Sequence, residues 1–225
     1  MCGRYAITLP PEAMARLFSA VPGNDVPGGA RYNVCPTQVV AACTHEAGAR
    51  RMRGMRWGFL PQWYKTPTDG PLLINARSDT IADKPAFRVA ARERRCLIPA
   101  DGFYEWSRPA GTRPLPWFVH RSDGAPMVFG AIWQDWEREG ERLTTCAIVT
   151  VAAGPGLAAI HDRAPLVLEP SDWALWLGEA GPGAARLMRP AAEGVLALHR
   201  VGLEVNSNRA EGPGLVMPLI EPAGE

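Results

Sequence analysis

The chain has 225 residues, which fits one large domain better than two small ones. Apolar residues make up 47% and charged residues 21%, as in an ordinary soluble globular protein, so wholesale disorder is excluded. The 24 basic and 23 acidic side chains leave a net charge of +1, which excludes a global attraction to nucleic acid or to anionic membranes. Any DNA binding must therefore be local.

Short secondary-structure elements are predicted throughout the chain, because 23 glycines and 22 prolines interrupt it. Residues 3–9 predict a strand, and Pro11 suits the first turn of a helix over 12–20. Residues 37–44 and 50–57 predict a hairpin around a turn at 46–49. A Pro- and Trp-rich loop over 59–71 follows.

The C-terminal half predicts further strands with short helices between them. Apolar and Arg positions at helical spacing predict a helix over 85–95. Strands are predicted over 96–106, 113–120, 126–134, 143–151 and 195–201, and short helices over 155–160, 170–178 and 183–189. We therefore expect an α+β fold in a single domain spanning 1–225, with antiparallel strands curling toward a barrel or a sandwich and short helices at its edges.

Two features indicate the compartment. No apolar run approaches the roughly 18 residues of a membrane span, and the opening MCGRYAITLP lacks the pattern of a secretory signal. The five cysteines form no CxxC pair, and their odd number argues against a disulfide framework. Cys35, Cys43 and His45 are close in sequence, but we interpret the cysteines as small buried side chains. We expect a cytoplasmic protein without a metal or another cofactor.

Cys2 has a chemistry that no internal cysteine shares. Removal of Met1 would leave an α-amine and a thiol on adjacent carbons. The amine titrates near pH 8, so a useful fraction is a neutral nucleophile at physiological pH. It can attack an aldehyde, and the thiol can then close a five-membered thiazolidine ring on the resulting imine. From this position alone, a small residue near the start of a strand is the favoured interpretation.

Seven sequence blocks carry a resemblance to one family. They are MCGRYA at the N-terminus, YNVCPTQ at 32–38, RWGFLPQW at 56–63, INARSDT at 74–80, CLIPADGFYEW at 96–106, AIVTVAA at 147–153 and IHDRAPLVL at 160–168. In this order they resemble the SOS-response-associated peptidase (SRAP) family of abasic-site processing proteins, and Val205, Asn206 and Pro218 are compatible with it. The resemblance implies a protein that recognises abasic sites in single-stranded DNA and crosslinks to them through Cys2, shielding them during the DNA damage response.

The resemblance also implies the catalytic partners of Cys2. Forming and closing the imine requires proton transfers. Glu105, in GFYEW, would take and return protons, although strand alternation alone also allows it to point to water. His161 would help to open the sugar ring, or it would be a structural histidine bonded to a carboxylate. The usual Met-Pro after the family's His-x-Arg is Ala164-Pro165 here, which affects local packing. Asn75 would hold the amine and the sugar in register, with a turn or cap as the simpler alternative.

DNA contacts are implied for a further set of residues. Guanidinium groups bind phosphate oxygens in a bidentate fork, which suits Arg4 and Arg77, with a solvated surface position as the alternative. Arg163 and Thr150 would each add a further contact to the DNA backbone. Trp63 and Trp106 would stack against a base or block one face of the site, with core packing as the alternative. Arginine clusters over 50–56 and 88–95 would either extend a positive groove or form solvated faces.

Two other functions stay open at this point. A thiol peptidase or autopeptidase would use Cys2 as nucleophile, His161 as base and Asn75 as orienting group. A binding module would shield single-stranded DNA without covalent chemistry. The preferred interpretation is lyase-like Schiff-base chemistry that is stoichiometric rather than turning over. We expect the protein to act as a monomer that joins the nucleoid when bound to damaged DNA.

Overall fold

Strands dominate the fold in this computed structural model, which describes residues 2–111 and 113–219. The strands are β1 (Tyr5–Ile7), β2 (Arg31–Val34), β3 (Val39–Glu46), β4 (Ala49–Trp57), β5 (Asn75–Arg77), β6 (Arg95–Ala100), β7 (Gly102–Ser107), β8 (Leu115–Arg121), β9 (Met127–Arg138), β10 (Glu141–Ala152), β11 (Arg163–Pro165) and β12 (Leu196–Arg200). The α-helices are α1 (Pro11–Phe18), α2 (Arg88–Glu93), α3 (Pro155–Ala158) and α4 (Trp173–Leu177). Short 3-10 helices cover Pro170–Asp172, Ala184–Leu187, Leu203–Asn206 and Pro213–Val216.

Five of the strands close into a barrel. The larger sheet has the order β11-β10-β4-β3-β6-β9, and β9 also pairs with β10, so the ring β10-β4-β3-β6-β9 closes on itself. The link between β4 and β10 is a short parallel pairing, whereas the other links in the ring are antiparallel. Closure removes the exposed edges that an open sheet would have. The predicted curl of antiparallel strands toward a barrel is confirmed.

A second sheet carries the N-terminus of the chain. Its five strands are all antiparallel, in the order β12-β8-β7-β1-β2. Aromatic side chains pack it against the barrel, since Tyr5 of β1 makes edge contacts with Trp57 of β4 at 5.5 Å and with Phe129 of β9 at 5.9 Å between ring centroids. Phe103 of β7 contacts the same Phe129 at 6.2 Å. These contacts hold β1 firmly against the barrel.

The predicted hairpin and first helix are confirmed. Strands β3 and β4 pair from Glu46 opposite Ala49, with Ala47 and Gly48 at the turn and both at positive φ. Helix α1 begins at Pro11. The helices expected over 155–160, 170–178 and 183–189 are present as shorter α or 3-10 segments. None of the helices in the described ranges combines the length and the apolar character needed to cross a membrane.

The strand predicted over 96–106 is wrong as one element. The chain breaks at Asp101, so β6 belongs to the barrel and β7 to the second sheet. The backbone N–H of Asp101 donates to the carbonyl of Ala6 at 2.7 Å, which turns the chain from one sheet to the other. The helix predicted over 85–95 is shorter for a related reason, because Arg95 already pairs with Ile132 in the barrel.

Gly102, the first residue of β7, packs closely against strand β8, and its replacement gives a stability prediction. A Cβ at Gly102 would lie 2.4 Å from the carbonyl oxygen of Val119, an approach that a methyl group cannot make. We expect Gly102→Ala to lower the free energy of unfolding by about 1–3 kcal/mol. Thermal unfolding of Gly156→Ala is the control, because nothing lies within 4 Å of a Cβ at Gly156. Equal melting temperatures for the two variants would contradict the prediction.

Candidate functional site

Cys2 lies beside Glu105 because β1 runs antiparallel to β7. Tyr5 is opposite Phe103, and the backbone N–H of Tyr104 donates to the carbonyl of Arg4 at 2.9 Å. The residues before Tyr5 therefore lie alongside the residues after Phe103. Cys2 is fully buried, and burial raises the pKa of its thiol, with the nearby charge of Glu105 raising it further. The thiol form is thus the resting form, and a base is needed to make the thiolate.

Glu105 is an inward-facing carboxylate. Its side chain is only 4% exposed, so it does not point to water as strand alternation alone allowed. One carboxylate oxygen, Oε1, accepts a hydrogen bond from the backbone N–H of Trp106 at 3.2 Å. A carboxylate buried beside a thiol is placed to accept and return a proton.

Asn75 reaches the same place from the other sheet. It begins β5, which pairs with β10 so that Asn75 is opposite Ile148. Its Nδ2 donates to the carbonyl of Cys2 at 2.9 Å, a contact that spans 73 positions of sequence. Its Oδ1 is buried and makes no hydrogen bond within the described ranges. Burying an unsatisfied acceptor costs about 1–3 kcal/mol, so this oxygen is suited to receive a donor such as the amine of residue 2.

His161 follows helix α3 and contacts its own neighbours in the chain. Its Nδ1 lies 3.0 Å from the backbone N–H of Arg163 and 2.9 Å from Oδ1 of Asp162. These contacts exclude each other as hydrogen bonds, since the first needs a lone pair on Nδ1 and the second a proton. The backbone bond is the stronger assignment, because the side chain of Asp162 is 83% exposed and water competes for it. Nε2 then carries the ring proton and can donate it.

Two arginines and one aspartate form a cluster around strand β10. Thr150 of β10 is opposite Arg77 on one side and Pro165 on the other. Arg77 binds Asp79 through Nε at 3.3 Å and Nη2 at 2.9 Å, and Nη2 of Arg163 is 3.5 Å from the same carboxylate. The hydrogen bond from Arg77 lowers the pKa of Asp79. Arg77 is exposed, so its guanidinium is held in place while open to an incoming anion.

The backbone carbonyl of Thr150 holds the side chain of Arg163 in this cluster. The side chain of Thr150 is fully buried, and the carbonyl accepts a hydrogen bond from Nη2 of Arg163 at 2.6 Å. Arg163 is itself only 8% exposed. The DNA contact predicted for Thr150 stays a prediction, with Arg163 as the side chain that Thr150 positions.

Arg4 and Trp106 are held by the C-terminal part of the chain. Nη1 of Arg4 donates to Oδ1 of Asn33 and to the carbonyl of Val205, both at 2.8 Å. The guanidinium carbon of Arg4 is 5.7 Å from the centre of the Trp106 ring, and Nε1 of Trp106 donates to Oδ1 of Asn206 at 2.7 Å. The segment after β12 thus orients two predicted DNA-binding residues.

The remaining predicted residue, Trp63, lies in the loop after β4. Its side chain is 55% exposed, and its ring contacts Tyr64, which belongs to a small cluster with Leu60 and Trp136. The structure therefore brings Asn75 and Glu105 close to Cys2, and groups Arg77 with Arg163, while Trp63 belongs to a different cluster. Its predicted role in stacking stays untested.

Sequence reasoning missed two residues that organise the site. Asp79 follows Arg77 by two positions in the INARSDT block, and this short spacing of opposite charges was an available signal. Asn33 is buried and donates from Nδ2 to the carbonyls of Ser207 at 3.0 Å and Ala210 at 2.7 Å. Nothing local in the sequence indicates such a distant partner for Asn33.

Comparisons with known proteins place the chain among related sequences. The family model described as "SOS response associated peptidase (SRAP)" matches residues 1–208. The abasic site processing protein YedK of Escherichia coli strain K12 is 32% identical over 229 residues, covering 97% of this chain and 100% of that protein. The abasic site processing protein YoqW of Bacillus subtilis strain 168 is 30% identical over 223 residues, covering 96% of this chain and 99% of that protein.

A solved structure supports the same fold. The crystal structure of a protein from Bacteroides thetaiotaomicron matches with a TM-score of 0.86 and 21% identity, covering 97% of this chain and 100% of that chain. At this identity the likeness establishes the barrel and the second sheet as a shared fold.

Proposed function

The chain belongs to the SOS response associated peptidase (SRAP) family, and we propose that it captures abasic sites in single-stranded DNA through a covalent bond to Cys2. The names of its relatives, abasic site processing proteins, support the substrate class. The observation that carries the proposal is the buried group formed by Cys2, Asn75 and Glu105. It unites a potential aminothiol, a carboxylate and an amide acceptor.

The covalent step forms one C–N bond and one C–S bond and releases one water. After removal of Met1, the amine of Cys2 adds to the aldehyde carbon of the open deoxyribose, and loss of water gives an imine. The sulfur then adds to the imine carbon, and the thiol proton ends on the nitrogen. The product is a ring of sulfur, two cysteine carbons, nitrogen and the former aldehyde carbon. An internal cysteine has no adjacent amine and cannot form it.

Glu105 is the proton carrier of this sequence. It takes a proton from the attacking amine, returns one to the departing hydroxyl, and then accepts the proton of the thiol, whose raised pKa makes such a base necessary. Asn75 would accept the N–H of the amine on its buried Oδ1 and keep the amine facing the aldehyde. His161 would donate the proton on Nε2 to the ring oxygen as the closed sugar opens.

The DNA strand itself would be held by the residues around this group. Arg77 and Arg163 form the phosphate clamp, and Arg4 supplies a further positive charge beside Trp106. Trp106 and the exposed Trp63 would present aromatic surface to bases next to the abasic site. Because the product is a stable ring, the protein would act once per lesion rather than turn over.

Intact-mass analysis of the untagged protein tests the proposal. After incubation with single-stranded DNA carrying one abasic site, we expect a species with the summed mass of protein and DNA less one water. DNA whose abasic site has been reduced to the alcohol is the control, because it offers no aldehyde and is expected to give no adduct. Absence of an adduct with the aldehyde, on protein confirmed to lack Met1, would overturn covalent capture.

Replacement of Glu105 is expected to slow adduct formation. Glu105→Gln keeps the size of the side chain and an oxygen for the N–H of Trp106, but it removes the proton acceptor. General acid–base catalysis contributes about 10²–10⁴-fold, so the single-turnover rate is expected to fall within that range. Glu46→Gln, at the surface hairpin beside Arg53, is the matched control. A rate for Glu105→Gln equal to that of the control would remove Glu105 from the mechanism.

Noncovalent binding is expected to depend only modestly on salt. Two or three neutralised phosphates on a single strand give a slope of about −1.4 to −2.1 in log affinity against log salt concentration. Fluorescence anisotropy with the reduced abasic site measures this slope without crosslinking. A much steeper slope would show that the arginines within 50–56 and 88–95 also bind the strand.

A further inference from the structure

A small cavity lies on the outside of the barrel, between helices α2 and α4 and the 3-10 helix Ala184–Leu187. Its volume is about 360 Å³. Its walls are mainly apolar, with Ile81, Ala91, Trp176 and Met188 among them. No acidic side chain of the described ranges lines it, and none of Cys2, Asn75, Glu105 and His161 does so either. It is therefore separate from the proposed capture site.

Three arginines surround this apolar space. Arg88 and Arg92 are exposed and lie one turn apart on the same face of α2, and neither side chain has an ion pair or hydrogen bond to a described residue. Arg95 is more deeply placed. Its Nε and Nη1 donate to the backbone carbonyls of Trp176, Ala91 and Arg92, and burial lowers its pKa.

Arg95 presents one fixed donor group. Because Nε and Nη1 are already bonded to carbonyls, the guanidinium plane is held in one orientation, and Nη2 makes no hydrogen bond within the described part of the chain. Nη2 is not among the buried polar atoms of these ranges that lack a partner, so it is open to solvent and can receive an acidic group from outside the protein. The three charges therefore indicate an anionic ligand, and the apolar walls indicate that this ligand also carries a hydrophobic group.

We propose that this cavity, lined by Arg88, Arg92 and Arg95, binds the C-terminal end of an acidic partner peptide whose last residue is apolar. The terminal carboxylate would bind Nη2 of Arg95, the last side chain would fill the cavity, and acidic residues upstream would face Arg88 and Arg92. The volume is near the lower limit of ligand pockets, about 300 Å³, which suits one large side chain rather than an extended ligand.

The same features disfavour single-stranded DNA as the occupant. Sequence-tolerant binding of single strands uses exposed aromatic faces on which bases stack. The aromatic residue of this cavity, Trp176, is only 1% exposed, and its Nε1 is bonded to the carbonyl of Cys96 at 2.9 Å. The other walls named above are aliphatic. The cavity can therefore enclose one side chain, but it has no exposed aromatic ring on which bases could stack.

Fluorescence anisotropy with three labelled peptides tests the proposal. The first peptide has three aspartates, a glycine and a C-terminal phenylalanine with a free carboxylate; the second carries a C-terminal amide; the third ends in serine. We expect micromolar binding of the first peptide and at least about tenfold weaker binding of the other two, which corresponds to 1.4 kcal/mol or more. Equal affinities for the three peptides, or no binding of the first at millimolar concentration, would overturn the proposal.

Charge reversal of the exposed arginines supplies the matched variants. Arg88→Glu and Arg92→Glu are each expected to weaken binding of the first peptide by about tenfold or more. Arg16→Glu, an exposed position on α1, is expected to leave it unchanged. Circular dichroism checks that the variants fold. If Arg88→Glu and Arg92→Glu weaken the binding of undamaged single-stranded DNA and leave the binding of the peptide unchanged, the surface binds nucleic acid and the proposal is wrong.

Discussion

Cys2→Ser is expected to form no adduct with abasic DNA that survives denaturation. The amine is still present in this variant, so an imine forms, but the hydroxyl of serine is a far weaker nucleophile than a thiol and does not close the ring. The imine then hydrolyses. We expect a band of crosslinked protein on a denaturing gel only when cyanoborohydride reduces the imine before it is lost.

Cys35→Ser is the matched control for this result. Cys35 is a buried thiol whose sulfur donates to the carbonyl of Asn33 at 3.3 Å, an acceptor that a hydroxyl can also use. This variant is expected to form the adduct at the wild-type yield without a reductant. A stable adduct on Cys2→Ser would show that the bond runs through another nucleophile, and the thiazolidine mechanism would be abandoned.

Protein with a blocked N-terminus is expected to form no adduct that survives denaturation when no reductant is present. A retained Met1 or an N-terminal tag places an amide where the amine of Cys2 must act, and an amide nitrogen does not add to an aldehyde. A retained Met1 carries its own α-amine, which can form an imine but has no thiol on the adjacent carbon to close the ring. Proteolytic removal of the tag to expose Cys2 is expected to restore full crosslinking on the same sample.

The blocked protein also separates the proposed function from its alternatives. A module that binds single-stranded DNA without covalent chemistry keeps its affinity for abasic DNA and its behaviour on denaturing gels whether or not the amine is free. Crosslinking by the tagged protein at the rate of the untagged one would refute the aminothiol mechanism, because the step that forms the imine would then not use the N-terminus.

Some of the fold follows from local sequence and some does not. The β3–β4 hairpin was predictable because alternating strands flank a turn at Ala47 and Gly48. Strands β5 and β11 have three residues each, too few for an alternating pattern to be recognised, and they exist because β10 offers them hydrogen bonds. The break at Asp101 is likewise decided by a distant carbonyl, that of Ala6.

The same distinction applies to the site. The chemistry open to Cys2 could be worked out from its second position, but its functional role, like those of Asn75 and Glu105, was assigned by family resemblance. Their meeting depends on strands β1, β7 and β5, which belong to two sheets. Sequence alone left Glu105 free to point to water, and only the packing of the two sheets fixes its inward direction. Long-range pairing, rather than residue type, is the missing information.

The burial of the cysteines has a consequence for chemical selectivity. All five are buried and free, and burial raises the pKa of the thiols of Cys2, Cys96 and Cys146. Oxidants and alkylating agents react with thiolates, so peroxide and similar stray electrophiles find little to attack. In the proposed mechanism, the reagent that succeeds at Cys2 reacts first with the amine. Discrimination between DNA damage and the other electrophiles of a stressed cell would thus come from the order of bond formation, with nitrogen before sulfur.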